Sequence, residues 1–327
     1  MASTVLAILF GIISYSLVNI GLALQKKGAS SLPTIEKTSF WRNLKNFFTN
    51  KFWLIGILCT NTSFIFLAIA MNQGPLSIVS PMQGVGLVVL LLFSFFYLKE
   101  KITRWEVLGI VTIITGIVTL GVTKTSNETN FTITEINEFF LQPKSIIFLC
   151  VLTALVVGAI VFSILKKYKL ASIIFGLGAG TLSGLGAIFT KAYMCALDFA
   201  NFSTSIIFAF SQWMWWIYLL VMVVYNLLSE VLPQIAYQKG KVVLVAPLFA
   251  VMALITPVFG GIVIFSEWNY LAPWNLALKI VAIILVLSGV VILSYFNKKS
   301  KKRVEEQKEK EDKEVEKIEE APIIIEE

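Results

Sequence analysis

The stretch Ile69 to Pro81, "IAMNQGPLSIVSP", returns half a chain later as Ile235 to Pro247, "IAYQKGKVVLVAP". Each copy joins the end of one apolar segment to a Gly turn and the start of the next. The first copy contains no Lys or Arg, whereas the second carries Lys239 and Lys241 at its turn. Cytoplasmic loops are enriched in Lys and Arg, so the two copies are expected on opposite faces of a bilayer. A duplication whose halves enter the membrane upside down is the plan by which many secondary transporters open one packing scheme to either side. Alternating access of a small solute or ion is therefore the function the pattern points to first.

Working outward, 57% of the 327 residues are hydrophobic and 14% charged, and the mean hydropathy is +0.81. That balance excludes an ordinary soluble domain of this length. A helix needs roughly 20 mostly apolar residues to cross the hydrocarbon layer, because its backbone amides must be satisfied within the segment. Nine stretches qualify: Thr4 to Leu24, Phe52 to Met71, Leu76 to Leu98, Val107 to Val122, Ile146 to Leu165, Ile173 to Met194, Ile206 to Gln234, Val242 to Phe265 and Leu276 to Phe296. The expected fold is an all-α polytopic membrane protein with about nine transmembrane helices in two inverted repeats of four, joined by a fifth span (4+1+4).

Basic residues collect after the first span (Lys26 to Lys51), the third (Lys99, Lys101, Arg104), the fifth (Lys166, Lys167, Lys169), the seventh and the ninth. The alternate connections are poor in Lys and Arg, so the N-terminus is expected outside and the C-terminus in the cytoplasm. The corresponding domains are 1–145 for the first repeat, with a basic cytoplasmic loop at 25–51, 146–170 for the linking span, 171–297 for the second repeat, and 298–327 for a charged cytoplasmic tail. The tail holds nine basic and eleven acidic residues, a net of −2 against +7 for the whole chain, which leaves +9 before it. That excess fits a bilayer with an anionic inner leaflet. No nucleic-acid fold motif accompanies it.

The repeats match at further points. "GLALQK" from Gly21 parallels "GAIFTK" from Gly186, and "GIVTL" from Gly116 parallels "GVVIL" from Gly289, in the same order along each half. On these spacings the chain resembles the drug/metabolite transporter superfamily, whose EamA-type members carry paired repeats with a Pro-containing helix ending in Glu, here Pro81 through "FFYLKEK" to Glu100. Within it, "KKG" at Lys26 to Gly28, "SPMQG" at Ser80 to Gly84 and "SEW" ending at Trp268 resemble the NIPA-type magnesium transporters. The resemblance implies magnesium transport as an alternative to a general carrier. It departs at Phe64, where that family usually bears an intramembrane Glu.

The polar residues inside the spans are the candidate substrate-binding set: Asn19, Gln25, Asn61, Ser80, Gln83, Asn226, Glu230 and Gln234. Asn226, Glu230 and Gln234 follow one another at helical i, i+4 spacing, which lays them in one stripe. Intramembrane acids usually face a cavity or a partner, so Glu230 is the candidate metal ligand if a cation is carried. Pro81 and Pro247 occupy equivalent points near the starts of spans three and eight and are candidate hinges. Gly176, Gly180 and Gly184 stack on one face and are expected to pack against a neighbouring helix. Lys26 and Lys191 occupy matching positions near span ends, where a long ammonium chain is expected to snorkel to the headgroups.

Histidine is absent, and Cys59, Cys150 and Cys195 are too scattered for a zinc spacing. No phosphate-binding or dinucleotide loop appears, so neither a cofactor nor an enzymatic activity is expected. A non-transporting membrane scaffold or receptor, acting through the tail, is the other alternative, and a homodimer is one assembly the pattern allows.

Overall fold

The computed structural model describes residues 2–30, 48–98, 103–123, 131–168, 170–197, 201–239, 242–269 and 271–295. The charged tail and the centre of the long basic loop lie outside the described residues. Helix α1 spans Ala2–Ser30 and α2 spans Lys51–Gln73. A short α3, Leu76–Val79, runs through a 3₁₀ turn, Ser80–Met82, into α4, Gln83–Leu98. Then follow α5 (Arg104–Val122), α6 (Ile133–Leu141), α7 (Pro143–Leu165), α8 (Ala171–Cys195), α9 (Phe202–Ser211), α10 (Trp213–Lys239) and α11 (Val242–Val263). The last described helix, α12, is Pro273–Tyr295.

Among the described residues eight helices are long and apolar enough to cross a bilayer. The ninth expected span is α11, apolar from Leu248 to Val263. Nearly every face of α7 is apolar, and Leu155 and Leu165 stand 63% and 75% exposed, as a lipid-facing helix requires.

Three elements depart from the sequence expectation. Span seven is two helices, α9 and α10, because Gln212 is extended (φ −93°, ψ 111°) and interrupts the ladder. Trp215 packs there, between Tyr193 and Phe210. The connection between spans four and five contains α6, whose Thr132 and Glu135 close a capping box. Span three passes through a 3₁₀ turn that contains Pro81, whereas α11 is α-helical through Pro247. The two prolines are therefore not equivalent in the backbone.

Small residues decide how closely the helices approach. A Cβ at Gly21 would lie 2.7 Å from the Gly56 carbonyl oxygen, and one at Gly56 would lie 2.6 Å from that of Gly21, so α1 and α2 touch backbone to backbone. On α8, Gly176, Gly180 and Gly184 all face α11, meeting Val245, Phe249 and Thr256 respectively. Gly109 of α5 meets Leu293 and Gly289 of α12, while Gly116 meets Val286 and Ala282. These contacts advance along α5 as they retreat along α12, so the two helices pack antiparallel. Thr103 caps α5 through a box with the buried Glu106. Thr103→Ala is expected to cost about 1 kcal/mol, read as a lower thermal midpoint of the detergent-solubilised protein.

Candidate functional site

Between α1, the 3₁₀ turn, α8, α10 and α11 lies a central cavity of about 150 Å³. Six polar side chains line it: Tyr15 on α1, Ser80 and Gln83 at the break before α4, Ser183 and Thr190 on α8, and Asn226 on α10. Leu67, Met71, Ala187, Ala253 and Pro257 complete its wall. The Ser80 hydroxyl is buried and finds no hydrogen-bond partner among the described residues. The Asn226 amide donates to the Met222 carbonyl at 2.8 Å. The break at Pro81 has a local cause. Proline has no N–H to donate, and the chain tightens into a 3₁₀ turn that brings Ser80 and Gln83 into the seam.

Of the residues singled out from the sequence, Ser80, Gln83 and Asn226 thus come together. Asn19 sits one turn beyond Tyr15, donates to its carbonyl at 2.8 Å and packs against Gly86. Gln25 bonds Thr60 at 3.1 Å between α1 and α2. Asn61 is exposed and donates back to the Ile57 carbonyl at 2.8 Å. Glu230, one turn beyond Asn226, is exposed and does not line the cavity. The side chains of Gln234, Pro247 and Lys26 lie outside the described residues.

The strongest electrostatic feature departs from the sequence expectation. Lys191 does not snorkel but is fully buried, with its Nζ 3.0 Å from Glu267 Oε1 and 3.2 Å from the Gly74 carbonyl. Glu267 accepts the Leu76 and Ser77 backbone N–H groups. Pro75, the cap residue of α3, offers no side-chain bond, so a carboxylate from the opposite half of the chain caps that helix. Phe265 lies 5.1 Å and Phe131 5.9 Å from the ammonium, their ring faces adding to its stabilisation. Burial pushes the Glu267 carboxyl up, but the Lys191 charge and the bonds from Ser77 and Leu76 outweigh it and hold the group below its ordinary range. The lone Lys191 in an apolar span and the lone acid in the short connection before the last span are the available signals. Nothing local joins them across 76 residues.

A second cavity, about 360 Å³, opens at that end of the bundle, lined in part by Asn72, Phe131, Thr132, Cys195 and Phe208. Along α8, Thr190 faces the central cavity, Lys191 makes the ion pair and Cys195 faces the end cavity. Along α2 and its turn, Met71 faces the central cavity, Asn72 the end cavity, and Gly74 accepts from Lys191. The ion pair therefore stands in the partition between the two spaces. Among the described residues no group of three or more His, Cys, Asp or Glu could hold a metal ion.

A bundle of membrane-crossing helices around a small polar hollow, partitioned from a second one by an ion pair, is the build of a membrane transporter. The family model described as "Magnesium transporter NIPA" matches residues 3–299, and the chain belongs to that family. It is 26% identical to the "Probable magnesium transporter NIPA9" of Arabidopsis thaliana over 84% of this chain and 78% of that protein. The "Probable magnesium transporter NIPA7" of the same plant is 21% identical, over 74% and 73%. "Probable magnesium transporter NIPA6" is 24% identical, over 69% and 68%. No solved structure matches.

Proposed function

We propose that this protein carries magnesium, with part of its water shell, through the central cavity by alternating access between two inverted repeats. The observation that carries this reading is the cavity's lining of neutral oxygen donors contributed from both halves of the chain. Magnesium gives up water reluctantly and prefers oxygen ligands. Uncharged Ser, Thr, Asn, Gln and Tyr oxygens accept hydrogen bonds from ion-bound water without stripping it. Since a water needs only roughly 10–15 Å³ of such space, a cavity of about 150 Å³ holds an ion with several waters. Phe64 stands where the family resemblance implies an acid, it is 43% exposed, and it does not line the cavity. The cargo path therefore rests on neutral groups, and Glu230 is left out of it.

The antiparallel packing of α5 and α12, which carry the matching Gly116 and Gly289, supports the inverted-repeat arrangement. The alternation of basic connections with connections poor in Lys and Arg supports an outside N-terminus and a cytoplasmic C-terminus. On that orientation the Lys191–Glu267 pair closes the outer end. The test is magnesium uptake into proteoliposomes, followed with an internal magnesium-sensitive dye. Asn226→Leu and Gln83→Leu are each expected to slow uptake about tenfold, the low end of what loss of an outer-shell hydrogen bond costs a metal site. Uptake at the parental rate in both variants would exclude this cavity as the path.

A further inference from the structure

Lys279, on α12, is 1% exposed, and its ammonium finds no hydrogen-bond partner among the described residues. Asn275, one turn earlier on the same face, is 3% exposed and has an unpartnered oxygen. Burying a charge without a partner costs several kcal/mol, and a membrane helix has no reason of packing to keep such a side chain. The charge within its electrostatic reach is Glu267, already engaged by Lys191. Glu267 belongs to the connection between α11 and α12, six residues before Pro273 begins the helix that carries Lys279. In the state described here this carboxylate thus has two candidate cations, one bonded and one waiting.

We propose that Lys279 is the second seat of the Glu267 carboxylate, taken up when the outer partition opens. With Lys191 and the N-terminus of α3, Glu267 ties the two halves together and separates the central cavity from the end cavity. Opening pulls it away from the Leu76 and Ser77 N–H groups, and Lys191 away from the Gly74 carbonyl, all of which belong to the first half. Lys191 stays with the carboxylate in the second half, and the Lys279 ammonium there takes the place of the two lost N–H donors, which removes the penalty of breaking those bonds. Lys279 is on this account a positioning residue of the transport cycle. The inference rests on the transport reading above.

The test uses full-length protein with Cys59, Cys150 and Cys195 replaced by Ala and a reporter, Ala187→Cys, in the wall of the central cavity. A membrane-impermeant thiol reagent is applied to one face at a time. With Lys279 present the reporter is expected to react from the side of the end cavity. Lys279→Met is expected to slow that reaction at least tenfold and to leave reaction from the other face within twofold. Its thermal midpoint should be equal to or above the parent's, since an unpaired buried charge has been removed. Lys279→Arg should restore most of the reactivity. Magnesium uptake should fall at least tenfold in Lys279→Met and recover in Lys279→Arg. Parental reactivity in Lys279→Met overturns the proposal, and so does a lowered midpoint, which would mean that Lys279 is already paired in the closed state. Failure of the parent to move magnesium overturns the cargo assignment instead, because reporter reactivity is read with no cargo present.

Discussion

Lys191→Met is expected to lower the stability of the solubilised protein by about 3–5 kcal/mol, the cost of leaving one member of a buried ion pair without its partner. Glu267→Leu should be at least as damaging. It strands the Lys191 ammonium and also removes the acceptor of the Leu76 and Ser77 N–H groups. The double variant Lys191→Met with Glu267→Gln should recover most of the loss, because both charges are gone while the amide oxygen still caps α3. Thermal unfolding of the three variants checks this. Equal midpoints in the parent and Lys191→Met would mean that the pair does not hold the partition together. The same pair sets a pH dependence. The Glu267 carboxyl lies lower in the folded protein than in the unfolded chain, so its contribution is complete above the ordinary carboxyl range and is lost as pH falls through the folded value. Acid should destabilise the parent more steeply than it does Glu267→Gln, and parallel pH profiles would contradict the assignment.

Gly56→Val is expected to cost about 3 kcal/mol, at the upper end for forced overpacking. Its Cβ would lie 2.6 Å from the Gly21 carbonyl oxygen and 2.7 Å from the Gln25 side chain. Two helix backbones cannot yield by a rotamer change, so α1 and α2 must separate, and the Gln25–Thr60 hydrogen bond breaks with them. Gly158→Ala is the control: nothing lies within 4 Å of its added carbon on the exposed helix α7. It should be neutral or stabilising by up to about 1 kcal/mol from helix propensity alone. Comparable midpoints for Gly56→Val and the parent would show that the α1–α2 contact is looser than its geometry.

Much of the helical frame could be read along the chain because a membrane span is a local property. Roughly 20 apolar residues that satisfy their own backbone state their fate in one window, and Gly176, Gly180 and Gly184 announce a contact face by spacing alone. Where a window carried two meanings, local reading failed. The run from Ile206 to Gln234 is apolar throughout, and composition gives no sign that the chain extends at Gln212 and restarts. Glu230 satisfied every local criterion for a buried acid, yet one turn beyond the cavity-lining Asn226 it stands exposed. Glu267, in a short stretch that reads as a surface connection, is the buried carboxylate.

The spans, their small-residue faces and the duplicated order of motifs follow from periodicity and composition, which any short window of residues carries. Which polar groups meet does not. Tyr15, Ser80, Thr190 and Asn226 share one hollow, and Lys191 finds Glu267, only because helices far apart in the chain pack side by side. A charge in an apolar span is legible in one dimension, but its partner is chosen by distance in three. In the low dielectric of a packed bundle that choice separates a stabilising pair from a buried, uncompensated charge.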